Sequence, residues 1–213
     1  MRNTPWRILI AMKLSRSALI EFVPVIDGDR TYYGGFQNSL ERKNVSKFYR
    51  DRSCVVTAMT NVYFYLFHRK REITMELYNE YHYYFFRSLR PWANGVPTVR
   101  SLDRRLNRVR EDFGISLESK TLTETMVNKR PLTKKIAFIE EALAEDSPPI
   151  IINWLSNDIS VMKHHGVCIT ELNRVADKHE VVVSSWGRVY RFILEDFERQ
   201  FRTYTGLIYF KER

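Results

Sequence analysis

The order of hydrophobic patterns along the chain predicts an α+β fold, a helical half followed by a half built on an antiparallel sheet. Two observations carry this expectation. Before Pro148-Pro149, apolar residues recur mainly at helical period; after it, short β-branched runs alternate with polar turns. No flexible linker, low-complexity tract or internal repeat interrupts the series, so the two halves should face each other around one core. At 213 residues, 44% of them hydrophobic, with 12 Tyr, 13 Phe and 4 Trp, the chain is long enough to bury that core.

Residues 1–30 hold two apolar runs, Ile8 to Met12 and Ala18 to Ile26, ending at Asp27-Gly28-Asp29. Pro24 interrupts the second, which suits edge strands or an N-terminal arm. Residues 31–213 read as a single domain, with the helical half at about 54–147 and the sheet half at about 148–213. Its first stretch, residues 31–53, is a polar loop too long to be mere connection in a compact domain, and Gly34-Gly35 frees its backbone just before Gln37.

Cys54 opens a strong helix, CVVTAMTNVYFYLFHRK, with Asp51 or Ser53 as N-cap and Lys70 and Arg71 at its C-terminal end. A tyrosine-rich helix follows from Ile73 to Leu89, ended by Pro91. Thr98 to Phe113 forms the next, with Pro97 as start signal and Gly114 as stop. An extended piece, Ile115 to Thr121, precedes a helix over Lys134 to Glu145. Ile150 to Trp154 is a buried strand. A hairpin then runs from Gly166 to Ser185, with Asn173 to His179 as its polar connection. Val189 to Leu194 and Thr205 to Phe210 are further strands, separated by an acidic helix near Glu195 to Phe201.

The formal charge of +9 admits nucleic acid, an acidic membrane surface or an acidic substrate as partners. The densest basic stripe, Arg100, Arg104 and Arg108 at helical spacing opposite Leu102, Leu106, Val109 and Phe113, reads first as a solvated helix face and otherwise as a site for an acidic partner. No helix-turn-helix, zinc finger or ribonucleoprotein motif accompanies it, which argues against a nucleic-acid binder. Two cysteines allow at most one disulfide and form no zinc pattern, and no residue pattern calls for a cofactor. No apolar run has the length of a membrane span, and the first residues lack a convincing signal sequence, so the expected setting is cytoplasmic.

A cysteine in the first turn of a helix feels the positive end of the helix dipole, which favours thiolate. A histidine pair, His164-His165, opens the hairpin, and Ser184-Ser185-Trp186-Gly187 closes it. In this order the residues resemble the papain-like cysteine peptidases, closest to the compact bacterial branch that includes the double-glycine, bacteriocin-processing peptidases. Ser53-Cys54-Val55-Val56-Thr57-Ala58 matches the nucleophile helix, His165-Gly166-Val167-Cys168-Ile169-Thr170 the base strand, and Ser185-Trp186-Gly187 three residues of that group's Asn-Ser-Trp-Gly motif. The resemblance spans residues 34 to 200 in architecture but only these short motifs in sequence.

The resemblance implies Cys54 as nucleophile and His165 as general base, with His164 as the alternative base. It implies an ion pair between thiolate and imidazolium, and an acyl-enzyme intermediate. Ser184 stands at the orienting asparagine, a shorter neutral hydroxyl; Asp177 and Asn173 are lesser substitutes. No glutamine lies just before the cysteine, so Gln37 becomes the candidate oxyanion donor beside the Cys54 backbone N–H. Cys168, on the opposite strand face from His165, reads as core. The implied function is a peptidase or other thiol hydrolase. An acyltransferase on the same scaffold, or a papain-like module without turnover, are the alternatives.

Overall fold

The computed structural model describes residues 8–18, 21–69, 72–154 and 159–212. In chain order these form β1 (Ile8–Lys13), β2 (Pro24–Asp27), β3 (Arg30–Tyr33), a 3-10 turn (Gln37–Lys43), α1 (Lys47–Arg50), α2 (Cys54–Phe67), β4 (Ile73–Thr74) and α3 (Met75–Leu89). There follow α4 (Val99–Phe113), β5 (Leu117–Thr125), α5 (Leu132–Ala144), β6 (Ile150–Trp154), a 3-10 turn (Ser160–Met162), β7 (Gly166–Val175), β8 (Lys178–Ser185), β9 (Arg188–Ile193), α6 (Leu194–Arg199) and β10 (Tyr204–Glu212). The architecture is mixed α+β, with several helices and a multi-stranded antiparallel sheet.

Among the described residues that sheet has seven strands, in the order β5-β10-β6-β7-β8-β9, with β1 paired to β7 beyond the reach of β6. A smaller sheet, β3-β2-β4, carries the segment that leads to Gln37. β5 falls within the stretch assigned from sequence to the helical half, yet it pairs with β10 along its whole length and forms one edge of the sheet. Its alternation of exposed and half-buried residues gives only a weak local strand signal, and the pairing is made with a strand near the other end of the chain.

α2 is the centre of the molecule. Every residue from Val55 to Tyr65 is buried, so the helix is enclosed all round rather than presenting one apolar stripe. Its far end holds the N-terminal segment: Tyr65 Oη donates to Asp146 at 2.5 Å, and Ser15 donates to the same carboxylate through its N–H and Oγ, both at 2.8 Å. Lys70 and Arg71, proposed for the helix end, lie outside the described residues, as do residues 1–7 and Leu19-Ile20 of the N-terminal runs.

α3 and α4 begin on side-chain caps, Thr74 Oγ1 accepting from the Leu77 N–H and Thr98 Oγ1 from the Ser101 N–H. α4 ends at Gly114 in the left-handed conformation, as the sequence predicts. Val99, Leu102, Leu106 and Val109 are its buried side, and Arg100, Arg104 and Arg108 are exposed. No helix among the described residues is long and apolar enough to cross a membrane.

Two sequence-based expectations change. The stretch 31–53 is not an open loop: β3, the 3-10 turn and α1 occupy most of it. The hairpin connection is also far shorter than Asn173 to His179, because β7 and β8 pair out to Val175 and Lys178, leaving Ala176 and Asp177 as the turn. Ala176 takes a left-handed φ of 54°, which lets a two-residue turn follow the strand twist. Polar residues there are ladder residues with solvent on one face.

Candidate functional site

Cys54 is the first residue of α2, and its position leaves backbone donors free. Ser53 holds the N-cap position, but its Oγ donates to the Tyr49 carbonyl at 2.7 Å and makes no cap bond. The first helical bond runs from the Thr57 N–H to the Ser53 carbonyl, so the Cys54, Val55 and Val56 N–H groups have no partner within the helix. Asp51, the other cap candidate, lies in the turn after α1 and pairs with Lys47 at 2.6 Å.

β7 reaches Cys54 because its first residue is a glycine. A Cβ on Gly166 would stand 2.4 Å from Val55 Cγ2, so this close strand–helix approach requires the absent side chain. The approach sets His165, just before the strand, beside the start of α2. Cys54 and His165 together line two adjoining cavities. The larger, about 300 Å³, is walled by Arg52, Gly95, Trp154 and His164 among others. The smaller, about 10 Å³, brings Gln37, Ser185 and Trp186 to the same two residues. Cys54 is half-buried, whereas Cys168 is fully buried with its Sγ on the Ala58 carbonyl at 3.1 Å.

The hydroxyl that meets His165 is that of Ser185, not Ser184. Ser185 Oγ lies 2.8 Å from His165 Nε2. The strand register explains the exchange. Ser184 is the cross-strand partner of Cys168, so it shares that residue's face, toward α2. There its Oγ donates to the Tyr33 carbonyl at 2.7 Å. Ser185 takes the opposite face, with the imidazole. Ser184 still lines the small cavity with Cys54 and His165, but its hydroxyl is engaged by the Tyr33 carbonyl and not by the imidazole. Asp177 and Asn173 belong to the far end of the hairpin.

Trp186 covers this hydrogen bond. Its ring stacks on the imidazole with centroids 4.5 Å apart and planes at 25°. Trp186 and Gly187 are the two central residues of the β8–β9 turn, and both have positive φ, 48° and 72°. Turn geometry thus holds the indole over the histidine. His164 also has positive φ, 46°, and its ring meets Trp154 edge-on instead.

Gln37 comes to the thiol through a chain of contacts that sequence reading missed. Asn61, two turns along α2 from Cys54, accepts from the Gly35 N–H at 2.9 Å and from Tyr78 Oη at 2.8 Å. Ser184 holds the Tyr33 carbonyl, and the Gly187 carbonyl accepts from the Tyr33 N–H at 2.9 Å. His82 ties the same region down, its ring nitrogens 3.0 Å from Thr57 Oγ1 and 3.3 Å from Ser39 Oγ. Asn61, Thr57 and Cys54 fall at helical spacing along α2, the one local sign that pointed to them.

Gly35 sits where a Cβ would lie 2.0 Å from the fully buried Tyr78 ring. Gly35→Ala should therefore destabilise the protein by about 1–3 kcal/mol through overpacking, read as a lowered urea midpoint. An unchanged midpoint would mean that this contact is not close in solution.

Burial sets the electrostatics. It pushes the Cys54 thiol up, against the opposing pull of the Gly166, Val55 and Cys54 backbone amides, and it pushes His165 down to about 4. Both shifts favour the uncharged pair over the thiolate–imidazolium pair expected from the helix dipole alone. The described residues contain no group of three or more His, Cys, Asp or Glu arranged to hold a metal ion.

Ser185 and Ser184 make a direct contrast. Ser185→Ala should release the His165 ring and change the pH dependence of Cys54 alkylation. Ser184→Ala should leave that profile nearly intact and lower stability. Equal changes in the profile from the two would remove the distinction. No family model matches the chain, and no curated protein matches it in sequence.

Proposed function

We propose that this protein is a papain-like thiol hydrolase acting on peptide or related acyl bonds. The observation that carries the reading is the shared cavity of Cys54 and His165, with the imidazole held by Ser185 beneath Trp186. Because Ser185 engages Nε2, Nδ1 is the nitrogen left to exchange a proton with the thiol. In the proposed sequence the Cys54 proton passes to His165 as sulfur attacks the acyl carbon, and the carbonyl electrons move to oxygen. The uncapped N–H groups at the start of α2 and the Gln37 amide are the donors available to that oxyanion. His165 then gives its proton to the leaving amine, and water, activated by the same imidazole, releases the acyl group.

The test is labelling with peptidyl vinyl sulfones followed by peptide mapping. The proposal expects an adduct at Cys54, lost in His165→Ala, with Cys168 untouched. Absence of any Cys54 adduct across a varied peptide series would sink it.

A second reading, a papain-like module without turnover, draws support from two observations. The orienting group is a serine hydroxyl rather than a carboxamide or carboxylate, and burial shifts both members of the pair toward their uncharged forms. This reading expects ordinary thiol reactivity at Cys54. An acyltransferase would pass the same labelling test and separate later, by transfer to an added amine in preference to water.

A further inference from the structure

The largest cavity described, about 530 Å³, lies outside the thiol site, between the first 3-10 turn with α1 and the C-terminal end of α3. Beside Val45 and Pro91, its apolar lining is aromatic: Tyr49, Tyr83, Phe86 and Trp92. Trp92 is 72% exposed and Tyr49 43% exposed, an unusual outlay of large rings to solvent. Tyr49 meets Phe86 edge-on and Tyr83 stacks on Phe86, so the rings form a continuous wall.

Arg87 and Arg90 line the same groove, and both are exposed. Among the described residues no carboxylate pairs with either one, whereas the neighbouring acids are already engaged: Glu80 by Lys43, Glu41 by Arg50 and Asp51 by Lys47. The two arginines also border a second cavity of about 240 Å³ together with Arg108, the last member of the α4 stripe. Asp112 pairs with Arg108 at 3.6 Å, so the uncompensated positive charge at this end of α3 is that of Arg87 and Arg90.

The groove connects to the thiol cavity through one turn. Trp92 and Gly95 bond to each other through their backbones, and while Trp92 lines the groove, Ala93, Asn94 and Gly95 line the cavity of Cys54. Arg52 fixes that turn by donating to the Ala93 carbonyl at 2.7 Å.

We infer that this groove binds an acidic, aromatic-containing polypeptide segment, whose chain continues over the Trp92–Gly95 turn toward Cys54. Carboxylates of the segment pair with Arg87 and Arg90, and its apolar side chains pack against the ring wall. That the segment belongs to a substrate rests on the proposed hydrolase reading; the binding itself does not.

The experiment uses the 213-residue chain with Cys54→Ala, so that binding is read without turnover. The probe is a fluorescein-labelled peptide of Glu-Glu-Phe-Leu repeats, followed by anisotropy, with a Lys-Lys-Phe-Leu peptide and a labelled oligouridylate as comparisons. Saturable binding of the acidic peptide alone is expected, weakened about tenfold or more by Arg87→Glu/Arg90→Glu and also by Trp92→Ala. All three positions are exposed, so the variants should fold normally. Equal binding of both peptides, or no effect of either variant, would overturn the inference. Tighter binding of the oligouridylate, lost in the arginine variant, would overturn it in favour of a nucleic-acid surface. If the acidic peptide binds as expected while vinyl sulfone labelling fails, the groove stands and the hydrolase reading falls.

Discussion

If the protein is the thiol hydrolase proposed above, His165→Ala should slow hydrolysis by about 10²- to 10⁴-fold, the usual worth of a positioned general base, and should change the pH dependence of Cys54 alkylation. Burial pushes the imidazole down to about 4, so the base form persists to well below neutrality. Hydrolysis by the wild type should accordingly rise as pH increases through about 4 and hold through neutral pH. It should not wait for an ordinary histidine or thiol to titrate. Burial raises the Cys54 thiol, so without the imidazole its alkylation should follow a curve shifted above the free-thiol range, near 8.5.

A histidine whose folded value is depressed contributes stability that is complete above about 6.5 and declines as pH falls through about 4. His82, fully buried and depressed by burial to about 3, acts in the same direction. Activity lost below pH 4 must therefore be compared with circular dichroism at the same pH. Coincident iodoacetamide profiles for wild type and His165→Ala, with Cys168→Ala as background in both, would mean that the imidazole and the thiol do not communicate.

Local signals made much of this molecule legible. The starts of α2 and α4, the stop at Gly114 and the strand Ile150–Trp154 fall where period, caps and breakers put them. Cys54 and His165 were marked by residue type and by the elements they open. What stayed hidden depends on partners distant in sequence. Residues 31–53 look like a loop because β3, the 3-10 turn and α1 are short, and their anchors lie on α2, α3 and β8: Asn61, His82 and Ser184. The choice between Ser184 and Ser185 was open to sequence in principle, since one hairpin register decides both. Position in the motif points to Ser184, whereas the side-chain face follows from pairing with Cys168. The aromatic groove gave no signal, since its rings come from three places: α1, α3 and the turn at Trp92.

The largest stability loss is expected far from the thiol, at Lys135→Met. Lys135 and Glu124 are each only 4% exposed at the side chain, and Lys135 Nζ lies 2.6 Å from both Glu124 and Glu198. Arg202 completes the cluster, 2.7 Å from Glu124 and 2.5 Å from Glu198, and donates to the last carbonyls of α6. The four residues join β5, α5, α6 and the entry to β10. Burying such charges is costly, and only full mutual pairing offsets it. Methionine fills similar volume but leaves two carboxylates facing one arginine, with Glu198 Oε1 already lacking a partner. The expected cost is about 3–5 kcal/mol, read from urea unfolding at neutral pH. For Glu124, burial raises the carboxyl, but bonds from Lys135 and the Arg130 N–H, with the charges of Lys135 and Arg202, outweigh it and leave the group lowered from 4.5. Its contribution is thus complete above about 4.5 and is lost as pH falls through the depressed value. Wild-type stability should fall steeply across that window and Lys135→Met stability less so, narrowing the gap between them. A gap below about 1 kcal/mol at neutral pH would mean that water reaches the cluster and screens it as it does a surface pair.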